Sequence, residues 1–356
     1  MVTTGRPPAA AASTATSSPK ASVSKRIGLG GGLLIALGAL AVLAFFSIAL
    51  GSRSVTIGTV FDAFFDSSVT SPDLTVIRDM RVPRTLLAIV VGAALGLGGT
   101  LLQGVARNPL ADPGVMGINA GAALAIVAGI MLIGVQSAGG YVWFAFAGAG
   151  VSTVLVYGLA ATGREGATPV KLALAGAAVT AVFSSVTSAI VLSNVDALNE
   201  MRFWQVGALS GRFMPVFVQL APFLIAASLI ALFAGRPLNT LALGDDVARA
   251  LGQPVALTRT ILFVIIAVLC GAATAAAGPI AFLGLMVPHI ARFICGPDYR
   301  WILPYSALLG PVLLLACDIA GRVVTAPGEL QVGVVIGIVG APAFIALARF
   351  RRLVEL

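Results

Sequence analysis

The stretch RVPRTLLAIVVGAALGLGGTLLQGVARNPLADPGVMGINAG, residues 81–121, decides the fold. Its apolar, Gly-rich middle runs for about 20 residues, enough to cross the hydrocarbon of a bilayer. Three arginines, Arg78, Arg81 and Arg84, crowd one end, and a polar turn, Asn108-Pro-Leu-Ala-Asp-Pro-Gly, closes the other. The rest of the chain reads as the scaffold that holds this segment upright in a membrane.

Composition agrees. The 356 residues are 58% hydrophobic and 10% charged, with a mean hydropathy of +1.02. Soluble domains average about 45–50% apolar and about 25% charged. The 41 glycines suit close helix–helix approach in lipid. The fold class is all-α, a polytopic membrane protein. A β-barrel would need alternating strands of roughly ten residues, and none is visible. The net charge of +8 does not point to nucleic acid, because the basic residues sit in short loops between apolar spans and form no stripe. Cys270, Cys295 and Cys317 fall in or beside spans without a CxxC pattern. They read as small buried apolar residues.

Residues 1–26, rich in Ala, Ser, Thr and Pro, read as a disordered cytoplasmic tail. The apolar run 27–50 is longer than the roughly 7–15-residue core of a signal peptide and reads as a retained first helix. Further spans fall near 84–105, 115–135, 141–162, 170–192, 214–234, 258–276, 280–296, 302–322 and 332–349, giving one ten-helix domain over 27–356. With the N-terminus in the cytoplasm, fifteen of the 22 Lys and Arg residues lie in inside segments and seven outside, as the positive-inside rule requires. Both termini are then cytoplasmic. Arg84-Thr85 opens the second span and Arg259-Thr260 the seventh, and each leads into Gly-Ala-Ala, at Gly92 and Gly271. The faint correspondence points to five helices followed by five inverted ones.

Arg81, Arg84 and Arg322 sit at outward helix ends, against the charge rule. They read either as side chains snorkelling to the headgroups or as docking points for acidic groups of an external partner. Outside, residues 51–80 contain VTIGTVFDAFF, a short amphipathic surface helix, and residues 194–213 place Phe203 and Trp204 at the membrane interface. Inside, the loop 235–259 carries a helical pattern from Leu241 to Leu251. Asp245 and Asp246 fall near its start and Arg249 near its end, as a helix dipole favours. It is either a handle for a soluble partner or an ordinary loop helix.

Few polar groups lie within spans. Asp318 is the one acidic residue well inside, and its i+4 neighbour is Arg322. The two readings are an intrahelical ion pair and a proton or ion site. His289 is the sole histidine, which makes neither a metal site nor a catalytic triad. It reads as hydrogen-bonded beside a kink at Pro288. Gly92-xxx-Gly96, Gly117-xxx-Gly121 and Gly333-xxx-Gly337 read as packing motifs. The GxxxxGK[ST] phosphate loop is absent, so energy from ATP must arrive through another subunit.

Four stretches, at 81–122, 241–252, 278–304 and 318–347, resemble in order the permease subunits of ABC importers for iron-siderophores, haem and cobalamin (FecCD-type, type II). The resemblance implies a bacterial plasma-membrane protein with ten helices. It also implies a second permease subunit, identical or paralogous, two ATPase subunits that bind ATP and Mg, and an extracytoplasmic substrate-binding protein. It assigns Arg81, Arg84 and Arg322 to docking of that protein's glutamates. It assigns Leu241, Gly244, Asp245, Asp246, Ala248, Arg249, Leu251 and Gly252 to coupling with the ATPase, and Asn108, Pro109, Leu110, Thr168 and Pro169 to a cytoplasmic gate. Asp245 stands where Glu is usual, and Pro169 replaces a small hydroxyl residue. The cargo implied is a ferric siderophore, with haem and cobalamin as alternatives; a proton-coupled secondary transporter using Asp318 is the alternative of another class.

Overall fold

A bilayer offers no water to backbone amides, so each span must satisfy its own hydrogen bonds. In keeping with this, the computed structural model is helical and without strands among the residues it describes, which are 19–51, 55–65, 71–135, 138–162, 168–212 and 214–350. The helices are α1 (Pro19–Ala49), α2 (Ile57–Phe65), α3 (Pro72–Thr75), α4 (Val82–Ala106), α5 (Ile118–Ile133), α6 (Ala138–Ala160), α7 (Pro169–Ser193), α8 (Val195–Trp204), α9 (Met214–Leu232), α10 (Gly235–Ala242), α11 (Asp245–Ala250), α12 (Val255–Ala277), α13 (Leu283–Cys295), α14 (Tyr299–Val324) and α15 (Val332–Phe350). A π-helical segment, Val76–Arg81, joins α3 to α4, so residues 81–106 of the quoted stretch belong to one helix of 35 residues, Pro72–Ala106.

Among the described residues, seven helices are long and apolar enough to cross a membrane, and three shorter apolar ones, α5, α13 and α15, complete the ten expected segments. The boundaries differ in places, for identifiable reasons. Residues 1–18 of the expected tail lie outside the described residues, but 19–26 are helical. Pro19 is tolerated in a first turn, and the apolar helix behind it propagates backward. Helix α13 has 13 residues, about 20 Å, short of the roughly 30 Å core. It is preceded by an irregular stretch with Gly278 at φ 74° and Phe282 at φ 64°. That backbone is tolerated because protein surrounds it: Ala277, Ile280 and Leu283 are buried, and the Ala208 amide donates to the Ala277 carbonyl at 2.7 Å. The same neighbourhood takes up Trp204, which is buried within the chain with its carbonyl against Gly278; the side chain of Phe203 lies outside the described residues. Helix α2 occupies the expected surface-helix segment.

Helix α4 is the axis of the bundle. It packs against α9, α12, α13 and α14, and glycines set the approach. Gly92 lies against the backbone of Gly310 and Pro311, and Gly99 against that of Gly284. Gly121 meets Gly148 and Gly333 meets the Val206 carbonyl, whereas Gly337 faces open space. A side chain at Gly99 would overlap the Gly284 backbone. Gly99→Val is therefore expected to cost at least about 1–3 kcal/mol through overpacking, read as a lower unfolding midpoint of the purified protein in detergent. Gly337→Val should stay within about 0.5 kcal/mol of the parent.

Candidate functional site

The axis helix has a charged end and a polar turn, and the expected site residues gather at these two places. At the charged end, the last carbonyls of α1 have no intrahelical donors, and two arginines supply them. Arg81 donates to the carbonyls of Ile48 and Ala49 at 2.9 and 2.8 Å. Arg322, on α14, donates to those of Ser47 and Leu50 at 2.9 and 3.0 Å and to Ser47 Oγ at 2.9 Å. Ser47 in turn shares a hydrogen bond with Thr85 at 2.8 Å. Three helices, α1, α4 and α14, are thus tied at one level.

Beneath them lies Asp318, fully buried. Arg84 donates to both of its oxygens, with contacts of 3.1, 3.1 and 2.7 Å. Arg322 pairs with it at 3.0 Å across one helical turn. Arg84 also reaches Glu329, in the loop after α14, at 2.7 Å. The expected Asp318–Arg322 pair is present, but it is one side of a larger cluster. Arg84, the stronger partner by number of contacts, is 234 positions away in sequence. The three arginines do not extend into water: residue exposures are 5% for Arg81, 8% for Arg84 and 2% for Arg322. They form the floor of a cavity of about 180 Å³, whose walls include Met80, Arg212 and Glu329. Four arginines and one carboxylate, Glu329, line it; Asp318 pairs with Arg84 and Arg322 beneath, and Asp73 and Glu200 act electrostatically on Arg81 and Arg212.

At the other end, Arg107 caps α4 in the left-handed conformation (φ 45°). The turn that follows is held by its own side chains. Asn108 Oδ1 accepts from the Leu110 amide at 2.9 Å, and Asp112 accepts from the Gly114 amide at 2.8 Å, starting a 3-10 turn at Pro113–Met116. These are the Asx turns that Asn-Pro and Asp-Pro sequences encode. Thr168 caps α7, accepting from the Lys171 amide at 3.4 Å, with Pro169 as the first helical residue, a position where proline loses nothing. A cavity of about 100 Å³ lies between the two segments, lined by Asn108, Leu110, Ala111 and Asp112 on one side and Leu172 and Ala173 on the other. The two expected gate segments therefore do meet. On the α7 side, the facing residues are one turn beyond Thr168 and Pro169.

The helical pattern expected over Leu241–Leu251 is broken in two. Gly244, at φ 102°, separates α10 from α11. Asp245 and Asp246 open α11 and Arg249 closes it, with Arg249 bonded to Asp246 at 2.9 Å. Leu241 and Ala248 belong to the chain's own core, while Gly252 ends the segment at φ 81°. Of the outer face, sequence reading named Leu251 but missed Leu243 and Val247. The three, four residues apart, are 62% (Leu243), 46% (Val247) and 65% (Leu251) exposed. Their regular spacing is the signal that could have found them. The segment is anchored to α14 through Asn239, which donates to Asp298 at 2.7 Å and accepts from the Tyr299 amide at 2.9 Å. The Arg300 guanidinium, bonded to both Asp298 oxygens, holds the Asp298 carboxyl down at about 2 despite some burial.

Asp245 carries more than a helix-dipole role. Its Oδ1 takes Arg107 at 3.0 Å and Arg259, on α12, at 2.8 Å. His289 Nδ1 lies 2.9 Å from the Leu285 carbonyl, the local hydrogen bond expected beside Pro288. The three cysteines are free and buried. No group of three or more His, Cys, Asp or Glu that could hold a metal occurs among the described residues.

Residues 39–350 match the FecCD transport family. The chain is 47% identical over 331 residues to the ferric enterobactin transport system permease protein FepD of Escherichia coli (strain K12), covering 92% of this chain and 96% of that one. It is 43% identical over 303 residues to a probable siderophore transport system permease protein, YfiZ, of Bacillus subtilis (strain 168), covering 85% and 91%. Among solved structures, an inward-facing metal-chelate type ABC transporter superposes with a TM-score of 0.80 at 25% identity, over 90% of this chain and 99% of that one.

Proposed function

The chain belongs to the FecCD transport family, and from that premise we propose that it is the permease subunit of an ATP-driven importer of ferric siderophores, non-catalytic in itself. Two permease subunits, two ATPase subunits inside and a binding protein outside make up the working assembly, with both termini of this chain cytoplasmic. The observation that carries the reading is the division of labour along α4: a cationic cavity at one end, a polar turn beside an exposed apolar face at the other.

A loaded binding protein offers carboxylates to the outward cavity, where the four arginines that line it are hydrogen-bond donors for them. Because Arg81, Arg84 and Arg322 are engaged within the chain, docking acids approach them through the cavity mouth beside Glu329 and Arg212. ATP binding closes the ATPase dimer, and the face at Leu243, Val247 and Leu251 receives that motion. The turn at Asn108–Leu110 against the start of α7 is the gate it acts on. Transport requires that the partner contacts differ between the outward and inward states. Asp318 is unsuited to carrying protons, since two arginines neutralise it and it is sealed from solvent.

The test is uptake into proteoliposomes containing the permease, its ATPase and its binding protein. Ferric enterobactin, an iron(3+)-hydroxamate, ferric citrate, haem and cobalamin are offered in turn. Uptake of a ferric siderophore is expected to require ATP and to ignore an imposed pH gradient. Uptake driven by the gradient without ATP would refute the reading, and preference for haem or cobalamin would change the cargo.

A further inference from the structure

We propose that Arg107 is a positioning residue that makes the polar turn at the end of α4 move together with α11, through the carboxylate of Asp245. The proposal rests on the reading above that α11 receives the motion of the ATPase.

The geometry is a convergence. Asp245 opens α11, and a single oxygen of its carboxylate accepts from Arg107, the last residue of the axis helix, and from Arg259, near the start of α12. Arg249, at the other end of α11, lies 3.9 Å from the second oxygen. One short helix is therefore held to two long ones by one acidic side chain. Arg107 occupies a backbone conformation that non-glycine residues adopt rarely. A glycine there would relieve the backbone but would have no guanidinium to reach across. Gly244 lies beside this contact, where a Cβ would stand 3.8 Å from Arg107 Nη1 in ordinary van der Waals contact, and its φ of 102° is what calls for glycine.

Arg107 is covalently joined to the gate turn. Asn108 follows it directly, and the Asn108 amide bonds back to the Gln103 carbonyl at 3.2 Å. Leu110, Ala111 and Asp112 then form the wall that faces Leu172 and Ala173. A displacement of α11 is thus transmitted by one ion pair and one peptide bond to the wall of the cavity. The pair is half-exposed, with side-chain exposures of 34% and 23%, so its partners can reorient without a charge being stranded in the core.

The experiment uses the full complex in proteoliposomes, with the ferric chelate it takes up best among those offered above. The quantity measured is chelate imported per ATP hydrolysed. Arg107→Gln is expected to lower that ratio about tenfold while hydrolysis continues, and Asp245→Asn to lower it similarly. The double variant should be no worse than the more severe single, because both remove the same link. A ratio within twofold of the parent in Arg107→Gln, or a double variant whose loss is the product of the two, overturns the proposal. Should Arg107→Gln fail to assemble, Asp245→Asn is compared with Arg259→Gln, which removes the other partner of the same oxygen; both leave the α4 cap in place. A tenfold loss in Asp245→Asn that exceeds that in Arg259→Gln supports the link, and equal losses in the two, or parental coupling in Asp245→Asn, overturn it. A cysteine at Val247 that forms no crosslink to the ATPase in the otherwise parental complex overturns the underlying reading, and the link with it.

Discussion

Replacing Asp318 by Ala is expected to cost about 3–5 kcal/mol and to leave little folded protein after extraction into detergent. The size follows from what remains behind. Arg84 and Arg322 keep their buried guanidinium groups but lose the one carboxylate that both touch. Glu329 bonds to Arg84 and acts on Arg322 only at longer range, and it is partly exposed. Arg322 also caps the end of α1, so its displacement loosens a helix that lies mostly on the periphery. Asp318→Asn retains the shape and some hydrogen bonding, and should fall between parent and Ala. The unfolding midpoint in detergent measures both. A parental midpoint for Asp318→Ala would mean that the arginines find other partners and that the cluster does not hold the outward end together.

The second large effect is at the opposite surface. Val247→Asp combined with Leu251→Asp is expected to remove the ATPase from the purified complex while leaving the permease folded. Both side chains are exposed, so the change costs the isolated chain little. Exposed apolar groups rimmed by charge mark contact surfaces, and desolvated anchors at such surfaces carry about 2 kcal/mol or more each. Two of them lost, with carboxylates put in their place, should weaken association at least 100-fold. Co-purification of the ATPase with the double variant at the parental ratio would show that contact is made elsewhere.

The spans were legible because length and apolarity alone define them. Which face of each helix turns inward was not. Lipid tails are as apolar as a protein core, so the polar stripe that reveals orientation in a soluble helix is missing here. The arginines illustrate the cost. From sequence, Arg81 and Arg84 could only be placed at a helix end; that they turn inward depends on Asp318, on Glu329 and on the carbonyls of α1, all distant along the chain. The polar turn after α4 was readable because Asn and Asp bond to their own neighbours. The break at Gly244 was readable in principle from the glycine. The burial of Trp204 was not, because it depends on an irregular stretch at residues 278–282 formed by another part of the fold.

The pairing of Arg84 with Asp318 also has a consequence for biogenesis. The ribosome makes the arginine first and its partner 234 residues later. At about 5–20 residues per second, the wait is roughly 10–50 s. Throughout that interval the nascent second span lacks the Asp318 counter-charge for Arg84, and the helices that enclose it, α9, α12 and α13, are made only in the later part of it. The early half of the polypeptide must therefore be sheltered by the insertion machinery, or by its arginines reaching toward phosphates, until the ninth span arrives and the bundle can close around its axis.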